Sequence, residues 1–357
     1  MFRYKADTAV ILGAGFSRES GLPIARDLSK SIFDSYFGGR LENAITDAIK
    51  KLLKECFRWK TGDPLPTFED IFTMIDMAAG SGHSLGRAFT PKKLRAVRRM
   101  LIHRLFGILD RHFHPSRNIE KILKALISKR NTTHFIVLNW DIVLEGYLAH
   151  CFPRSFIDYC VDISPWFAST RSGTPEIGVA KIHGSANWVY CDNCHSLFYD
   201  RDHKLALSIR AGSNKADFRL FDESFTDRVF DNAVGLPSAQ RNCRKCQCAV
   251  GPHIATFSFK KSFRTQGFTS SWLAAEQILT QAKRWIFLGY SLPDADFEFK
   301  HLLKTCALKS CDRTKYPKEI TVVILKNSEI EARYRGFFGS DISNVITGGI
   351  AAYAATL

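Results

Sequence analysis

"VILGAGFSRESGLP", residues 10–23, drives a run of apolar residues into Gly13-Ala14-Gly15 and then a serine. A buried strand that ends in small residues ahead of a helix puts backbone N–H groups where they can face a phosphate, because the first N–H groups of a helix have no intrahelical partner. The dinucleotide fingerprint asks for a third glycine three residues after the second, and that position is Arg18. Alone, the stretch predicts a strand, a tight turn and a helix over 23–36; the ligand has to be read from the rest of the chain.

Four later stretches repeat the same ending. HFIVLNWD (134–141), VAKIH (179–183), RWIFLGYSL (284–292) and EITVVILKN (319–327) are apolar runs that close on small or polar residues, as strands buried on both faces do. Helical periodicity separates them: LENAITDAIKKLLKECFRW (41–59), TFEDIFTMIDMAA (67–79) with Thr67 placed as N-cap, the basic stretch PKKLRAVRRMLIHR (91–104), and a helix around 297–306. Strands alternating with helices predict an α/β fold, a doubly wound, Rossmann-like parallel sheet whose ligands sit beyond the carboxyl ends of the strands. Residues 24–128 form a long helical insertion in that scheme. The strand ends, Gly13-Ala14-Gly15, Asn139-Trp140-Asp141, His183-Gly184-Ser185, Gly289-Tyr290-Ser291 and Lys326-Asn327, are the ingredients of one site.

The 357 residues are 45% hydrophobic and 24% charged, enough apolar material for a large core. No apolar run reaches the roughly 18 residues of a membrane span, and MFRYKADTAVILG lacks a signal-peptide pattern; the expectation is a cytoplasmic protein with no membrane partner. The net charge of +15 calls for an acidic partner. Arg95, Arg98 and Arg99 lie off the apolar stripe of the basic helix, and a solvated face or subunit contact is favoured there over nucleic acid, since no nucleic-acid module accompanies them.

Ten cysteines without an export signal point to metal binding or burial rather than disulfides. Cys191-x-x-Cys194 and Cys243-x-x-Cys246 are two knuckles, each able to aim two thiolates at one tetrahedral ion, and four thiolates suit zinc. Such an ion has no open position and is structural. The long separation of the knuckles requires a small zinc-binding lobe over 186–252, and Cys248 competes with Cys246 for the fourth position. Cysteines 56, 151, 160, 306 and 311 have no ligand spacing and are expected to pack.

In order along the chain, these residues resemble the sirtuin superfamily. Gly13-Ala14-Gly15-Phe16-Ser17 with Ser20-Gly21-Leu22-Pro23 and Arg26 looks like the opening motif that binds the NAD pyrophosphate; Asn139-Trp140-Asp141 is similar to the Gln-Asn-Ile-Asp motif around the nicotinamide and its ribose; His183-Gly184 stands where the catalytic histidine is expected. The cysteine pairs fall just after it, as sirtuin zinc ligands do, and Gly289-Tyr290-Ser291 resembles the Gly-x-Ser that contacts NAD. The resemblance implies NAD binding by Gly13, Ala14, Gly15, Phe16, Ser17, Pro23, Arg26, Gly289, Ser291 and Asn327. It implies that Asn139 holds the ribose or an attacking water, that His183 is the general base, and that Asp141 orients the nicotinamide carboxamide; a helix cap explains Asp141 equally well.

Two departures set the expected activity. Ala25 stands where deacetylating sirtuins have the phenylalanine that shields the sugar cation from water, which favours hydrolysis, and 251–263 lacks the Phe-Gly-Glu segment of the acetyl-lysine channel. Asp294-Ala295-Asp296 after GYSLP also looks like sirtuin-like NADases of bacterial antiphage defence. The expectation is an NAD+ glycohydrolase that takes NAD as substrate and holds structural zinc, working as a homo-oligomer under a separately encoded regulatory or sensor protein. The alternatives are an NAD-dependent protein-lysine deacylase and a non-catalytic nucleotide-sensing module.

Overall fold

The computed structural model describes residues 5–34, 38–127, 132–166, 175–200, 214–226, 230, 242–254, 266–311 and 319–357. Its main sheet takes β1 (Thr8–Leu12), β2 (Thr133–Val137), β3 (Phe156–Asp158), β5 (Pro175–Lys181), β9 (Arg284–Leu288), β10 (Glu319–Val323) and β11 (Ile342–Ile346). They lie in the order β11-β10-β9-β1-β2-β5-β3, and every pairing is parallel. The order reverses between β1 and β9, which is where an open α/β sheet leaves a crevice beyond its strand ends.

Among the described residues the helices up to the second strand are α1 (Ala14–Arg18), α2 (Ala25–Asp34), α3 (Arg40–Cys56), α4 (Phe68–Ser81), α5 (Pro91–Arg111) and α6 (Arg117–Leu126). After it come α7 (Val143–Cys151), α8 (Lys215–Arg219), α9 (Gln266–Gln281), α10 (Phe297–Cys311), α11 (Ser328–Phe338) and α12 (Gly349–Thr356).

The two-residue period of the strands sorts their side chains into two cores. Ala9 and Ile11 of β1 join Ile136, Trp285, Phe287 and Val322 under α9, α10 and α11. Val10 and Leu12 join Phe135, Val137, Ile286 and Val323 under α6, α7 and α12. Both faces are therefore covered, which explains why these strands read as unbroken apolar runs rather than as alternations. The doubly wound sheet is as the sequence predicts. Two of its strands are not: β3 is only three residues long, and β11, ISNVI, carries polar residues at a half-exposed edge.

Helices α2 to α5 build a third core of their own. Ile45, Ile49 and Leu52 of α3, Phe72 and Ile75 of α4, and Leu101 and Leu105 of α5 share it with Trp140, Ala186 and Ile254. Thr67 caps α4 by accepting from the Asp70 N–H at 3.1 Å, as the sequence predicts. The helix expected over 23–36 begins instead at Ala25, and the short α1 precedes it, because Gly21 turns the chain at φ +87 beneath the His112 carbonyl. The arginines off the apolar stripe of α5 make intramolecular contacts. Arg98 meets Asp76 at 2.6 Å, Arg99 grips both carboxylate oxygens of Asp217 on α8, and Arg95 donates to the Ala79 carbonyl.

A second sheet, β4 (Ser164–Pro165), β7 (Leu197–Tyr199), β6 (Gly184–Tyr190) and β8 (Gly251–Ile254), lies in the order β4-β7-β6-β8. The chain leaves the main sheet after β5, and β6, which starts directly after His183, pairs antiparallel with both β7 and β8. No helix among the described residues is long and apolar enough to cross a membrane.

Candidate functional site

The carboxyl ends of the central strands are level. Leu12 is in register with Val137 on one side and Leu288 on the other, and Leu288 with Val323. The turns that follow β1 and β9 then touch through backbone alone. Gly13 donates to the Leu288 carbonyl at 3.1 Å and Gly15 to the Gly289 carbonyl at 2.8 Å. A Cβ on Gly13 would sit 2.4 Å from Tyr290 Cα, one on Gly15 2.8 Å from Gly289 Cα, and one on Gly289, whose φ is +64, 2.3 Å from the Phe16 nitrogen. The glycines are thus required by the close approach of two chain segments, and the Gly15 N–H is already engaged there. Exposed Ala14 opens α1 at the crevice, whereas Phe16 is buried in the core.

Ser17, one turn into α1, is buried and connects the first strand end to the second. Asn139 donates from Nδ2 to Ser17 Oγ at 3.1 Å, and Ser17 is also hydrogen-bonded to the Asp141 carboxylate. Asp141 Oδ1 in turn accepts from the Val143 N–H at 3.1 Å, at the start of α7. Three of the predicted residues therefore form one hydrogen-bonded chain across the ends of β1 and β2. The N-cap of α7 is Ile142, and Asp141, one residue before it, supplies the side-chain acceptor for the first helical N–H. Burial pushes its carboxyl above the ordinary carboxylate range, opposed first by the Lys181 ammonium and then by the bonds from Ser17 and Val143.

His183, buried just past β5, hydrogen-bonds through Nδ1 to the Leu138 carbonyl at 3.1 Å. A carbonyl only accepts, so Nδ1 carries a proton, and in the neutral imidazole the lone pair is on Nε2. The same bond fixes the imidazole against the residue that precedes Asn139.

Beneath this chain lie residues that the sequence reading passed over. Lys181, the last residue of β5, donates from Nζ to the Asp141 carbonyl and to Glu145 Oε1 at 2.9 Å. Both side chains of that ion pair are wholly buried. Tyr147 on α7 meets Ser20 Oγ at 2.9 Å and accepts from the Ser116 N–H, which ties the loop after α1 to the start of α6. A lysine inside the apolar run VAKIH was the available signal for the pair, since a buried ammonium demands a buried anion.

The other predicted ligand residues have different settings. Pro23 and Ser291 are half-buried in loops. Arg26 is exposed on the first turn of α2 beside Asp27, 3.5 Å away. Asn327 caps α11, its side chain accepting from the Ile330 N–H at 3.0 Å. The Ala25 side chain and residues 255–265, on which the expectations about water access and the acetyl-lysine channel rest, lie outside the described residues, as does the Cys311 side chain.

The two knuckles meet as the sequence predicts. The sulfurs of Cys191, Cys194, Cys243 and Cys246 all lie within 4.8 Å of one another, with Cys191 to Cys246 and Cys194 to Cys243 both at 3.5 Å. Four sulfurs about 2.3 Å from a zinc ion define edges of roughly 3.8 Å, so the cluster could hold that ion with little movement. The knuckles are built alike. The fourth residue after each first cysteine donates its N–H back to that cysteine's carbonyl at 2.9 Å, from His195 to Cys191 and from Gln247 to Cys243. Both donors have positive φ, 57 and 62. Cys248 is exposed and outside the cluster, which settles the fourth position on Cys246. Burial pushes the Cys191 thiol up to about 12, while hydrogen bonds from the Cys248 backbone and the Asn193 side chain draw Cys246 down to about 6. A bound dication would hold all four as thiolates.

No family model and no curated protein matches the chain. Solved structures of sirtuins are similar in overall outline. One, described as the structural basis for sirtuin substrate affinity, is 15% identical with a TM-score of 0.40, covering 99% of this chain and 91% of its own. A second, Sir2 with an inhibitor, 2'-O-acetyl-ADP-ribose and a deacetylated peptide, is 13% identical with a TM-score of 0.43, covering 99% and 92%. A third, on the mechanism and regulation of Sir2 enzymes, is 15% identical with a TM-score of 0.44, covering 99% and 90%.

Proposed function

We propose that the protein is an NAD+ glycohydrolase that cleaves NAD+ to nicotinamide and ADP-ribose. The observation that carries the reading is the Asn139–Ser17–Asp141 chain, which sits beside the point where the parallel sheet reverses its order. That is the crevice in which an open α/β sheet takes its nucleotide. Exposed Ala14 and the half-buried Gly15 leave room there for a diphosphate to approach the backbone; Pro23 and Ser291 lie in loops, Arg26 in the first turn of α2 and Asn327 at the cap of α11.

Cleavage breaks the bond between C1′ of the ribose and the nicotinamide nitrogen. The electron pair stays with the nicotinamide, whose positive charge is cancelled, and a water oxygen closes on C1′. The water gives up one proton. Asn139 positions the water or the ribose, and Nε2 of His183 accepts the proton from the water or from a ribose hydroxyl. Asp141 works from behind, through Ser17. The cysteine cluster, with zinc bound, anchors the sheet whose strand β6 begins one residue after His183 and supplies no open coordination position.

The finer parts of the reading follow from the sequence resemblance. They are an NAD-depleting role in antiphage defence, activation by a separately encoded partner, and a homo-oligomeric state. Helices α2 to α5 are a suitable relay for such a partner, because their core includes Trp140, which lies between Asn139 and Asp141.

The test is release of nicotinamide and ADP-ribose from NAD+ by purified protein, beside Asn139→Ala and His183→Ala and with an acetyl-lysine peptide as competitor. Cleavage without peptide, reduced at least about 100-fold in both variants, supports the hydrolase. Turnover only with peptide would make the protein a deacylase and overturn the proposal.

A further inference from the structure

The direction of the hydrogen bonds around Ser17 is fixed by the Asn139 amide, whose Nδ2 can only donate: the Ser17 oxygen accepts from it at 3.1 Å, which leaves the hydroxyl proton for Asp141, the arrangement that an ionised carboxylate requires. The Asn139 amide is thereby oriented, and its other atom, Oδ1, is presented as an acceptor. Were Asp141 protonated, the carboxyl would donate to Ser17, the hydroxyl would turn toward Asn139, and the amide would offer NH2 instead. The charge on Asp141 therefore selects what Asn139 shows a ligand.

Lys181 is the cation beside that switch. It holds the Asp141 carbonyl directly and is neutralised in part by Glu145, within a pair sealed from solvent. The groups facing Asp141 are Lys181 from β5, Glu145 from α7, the Ser17 hydroxyl from α1 and the Val143 N–H, with the lysine opposing burial more strongly than the glutamate reinforces it. We infer that Lys181 is a positioning residue: from beneath the site it fixes the polarity of the Asp141–Ser17–Asn139 chain, so that Asn139 presents its carbonyl oxygen. The inference rests on the hydrolase reading only for what that oxygen meets, a water or a ribose hydroxyl.

The test is NMR of the full chain with labelled aspartate carboxyl and asparagine side-chain amide groups, titrated in wild type, Lys181→Met and the double variant Lys181→Met/Glu145→Leu. The double variant replaces a buried pair by apolar groups, a change folded proteins commonly tolerate, and keeps the test available if the single variant fails to fold. In wild type the Asn139 amide resonances are expected to move together with the Asp141 carboxyl. In either variant both transitions are expected to shift upward by about one pH unit or more. An Asn139 amide that ignores the Asp141 titration, or an Asp141 titration unmoved by loss of Lys181, would overturn the inference. NAD+ cleavage on the same samples separates the two readings. A chain that titrates as expected but leaves NAD+ intact keeps the positioning role and removes the hydrolase. If NAD+ is cleaved, the acid limb of kcat is expected to shift with Asp141 while KM stays, which mere destabilisation of the fold does not produce.

Discussion

Gly15 donates its N–H to the carbonyl of Gly289 at 2.8 Å, so the turns after β1 and β9 are joined by main chain, with no side chain between them. The glycine-rich turn is a packing device as well as a place for a ligand to approach. Gly13→Ala would drive a methyl to 2.4 Å from Tyr290 Cα, and Gly289→Ala would add a left-handed residue 2.3 Å from the Phe16 nitrogen. Each is expected to lose at least about 2 kcal/mol of stability, read as a fall in the urea midpoint. Gly336→Ala is the contrast. It lies in α11 with nothing within 4 Å of an added Cβ, and a gain of about 0.5–1 kcal/mol is expected there.

Arg104 tests whether the helical region is held by its apolar stripe alone. The guanidinium is buried between α3 and α5 and donates to Glu42 Oε2 from Nε at 3.1 Å and Nη2 at 2.8 Å, with further bonds to the Glu42 carbonyl and Thr46. Removing one member of such a pair strands the other charge. Arg104→Met is expected to cost about 3–5 kcal/mol, whereas Arg98→Ala, at a half-exposed contact with Asp76, is expected to cost about 1 kcal/mol or less. Chemical denaturation of both variants measures the difference.

The zinc cluster makes a prediction about one neighbour. Protein purified with metal is expected to carry one zinc ion per chain, to retain it in Cys248→Ser, and to lose it in Cys246→Ser, as counted by elemental analysis. Trp166, Val189, Phe198 and Val250 pack around the cysteines. Chelation is therefore expected to expose Trp166 and red-shift the tryptophan emission, and retention of zinc by Cys246→Ser would show that Cys248 can replace it.

How far the sequence carried these conclusions depended on how local each signal was. The five long strands and the cap at Thr67 depend on neighbours within one segment, and periodicity or a cap residue shows them. The cysteine pairs were legible because ligand spacing is a constraint written along the chain. Lys181 and Glu145 were not, because they are 36 residues apart and only the pairing of β2 with β5 brings them together. Ser17, which the resemblance puts among the NAD-binding residues, belongs to a side-chain network whose other members are more than a hundred residues away, and no local pattern shows that. Strands β4, β7 and β8 of the second sheet are too short to show a period.

His253 gives the lobe a dependence on pH. It lies in β8, buried, with its ring 4.4 Å from that of Phe268 and 4.8 Å from that of Tyr190. Burial lowers its pKa to about 4 from an ordinary value of 6.5, so the stack holds the neutral imidazole. A folded pKa below the unfolded one means that the unfolded chain binds the proton more readily. The stabilisation is complete above pH 6.5 and is lost as the pH falls from there toward 4, by roughly 3 kcal/mol in total. Urea unfolding at pH 7.5 and pH 4.5 is expected to show that loss in wild type, and a smaller one in His253→Phe, which keeps an aromatic ring on Phe268 and has nothing to protonate. An equal loss in both proteins would place the acid sensitivity elsewhere.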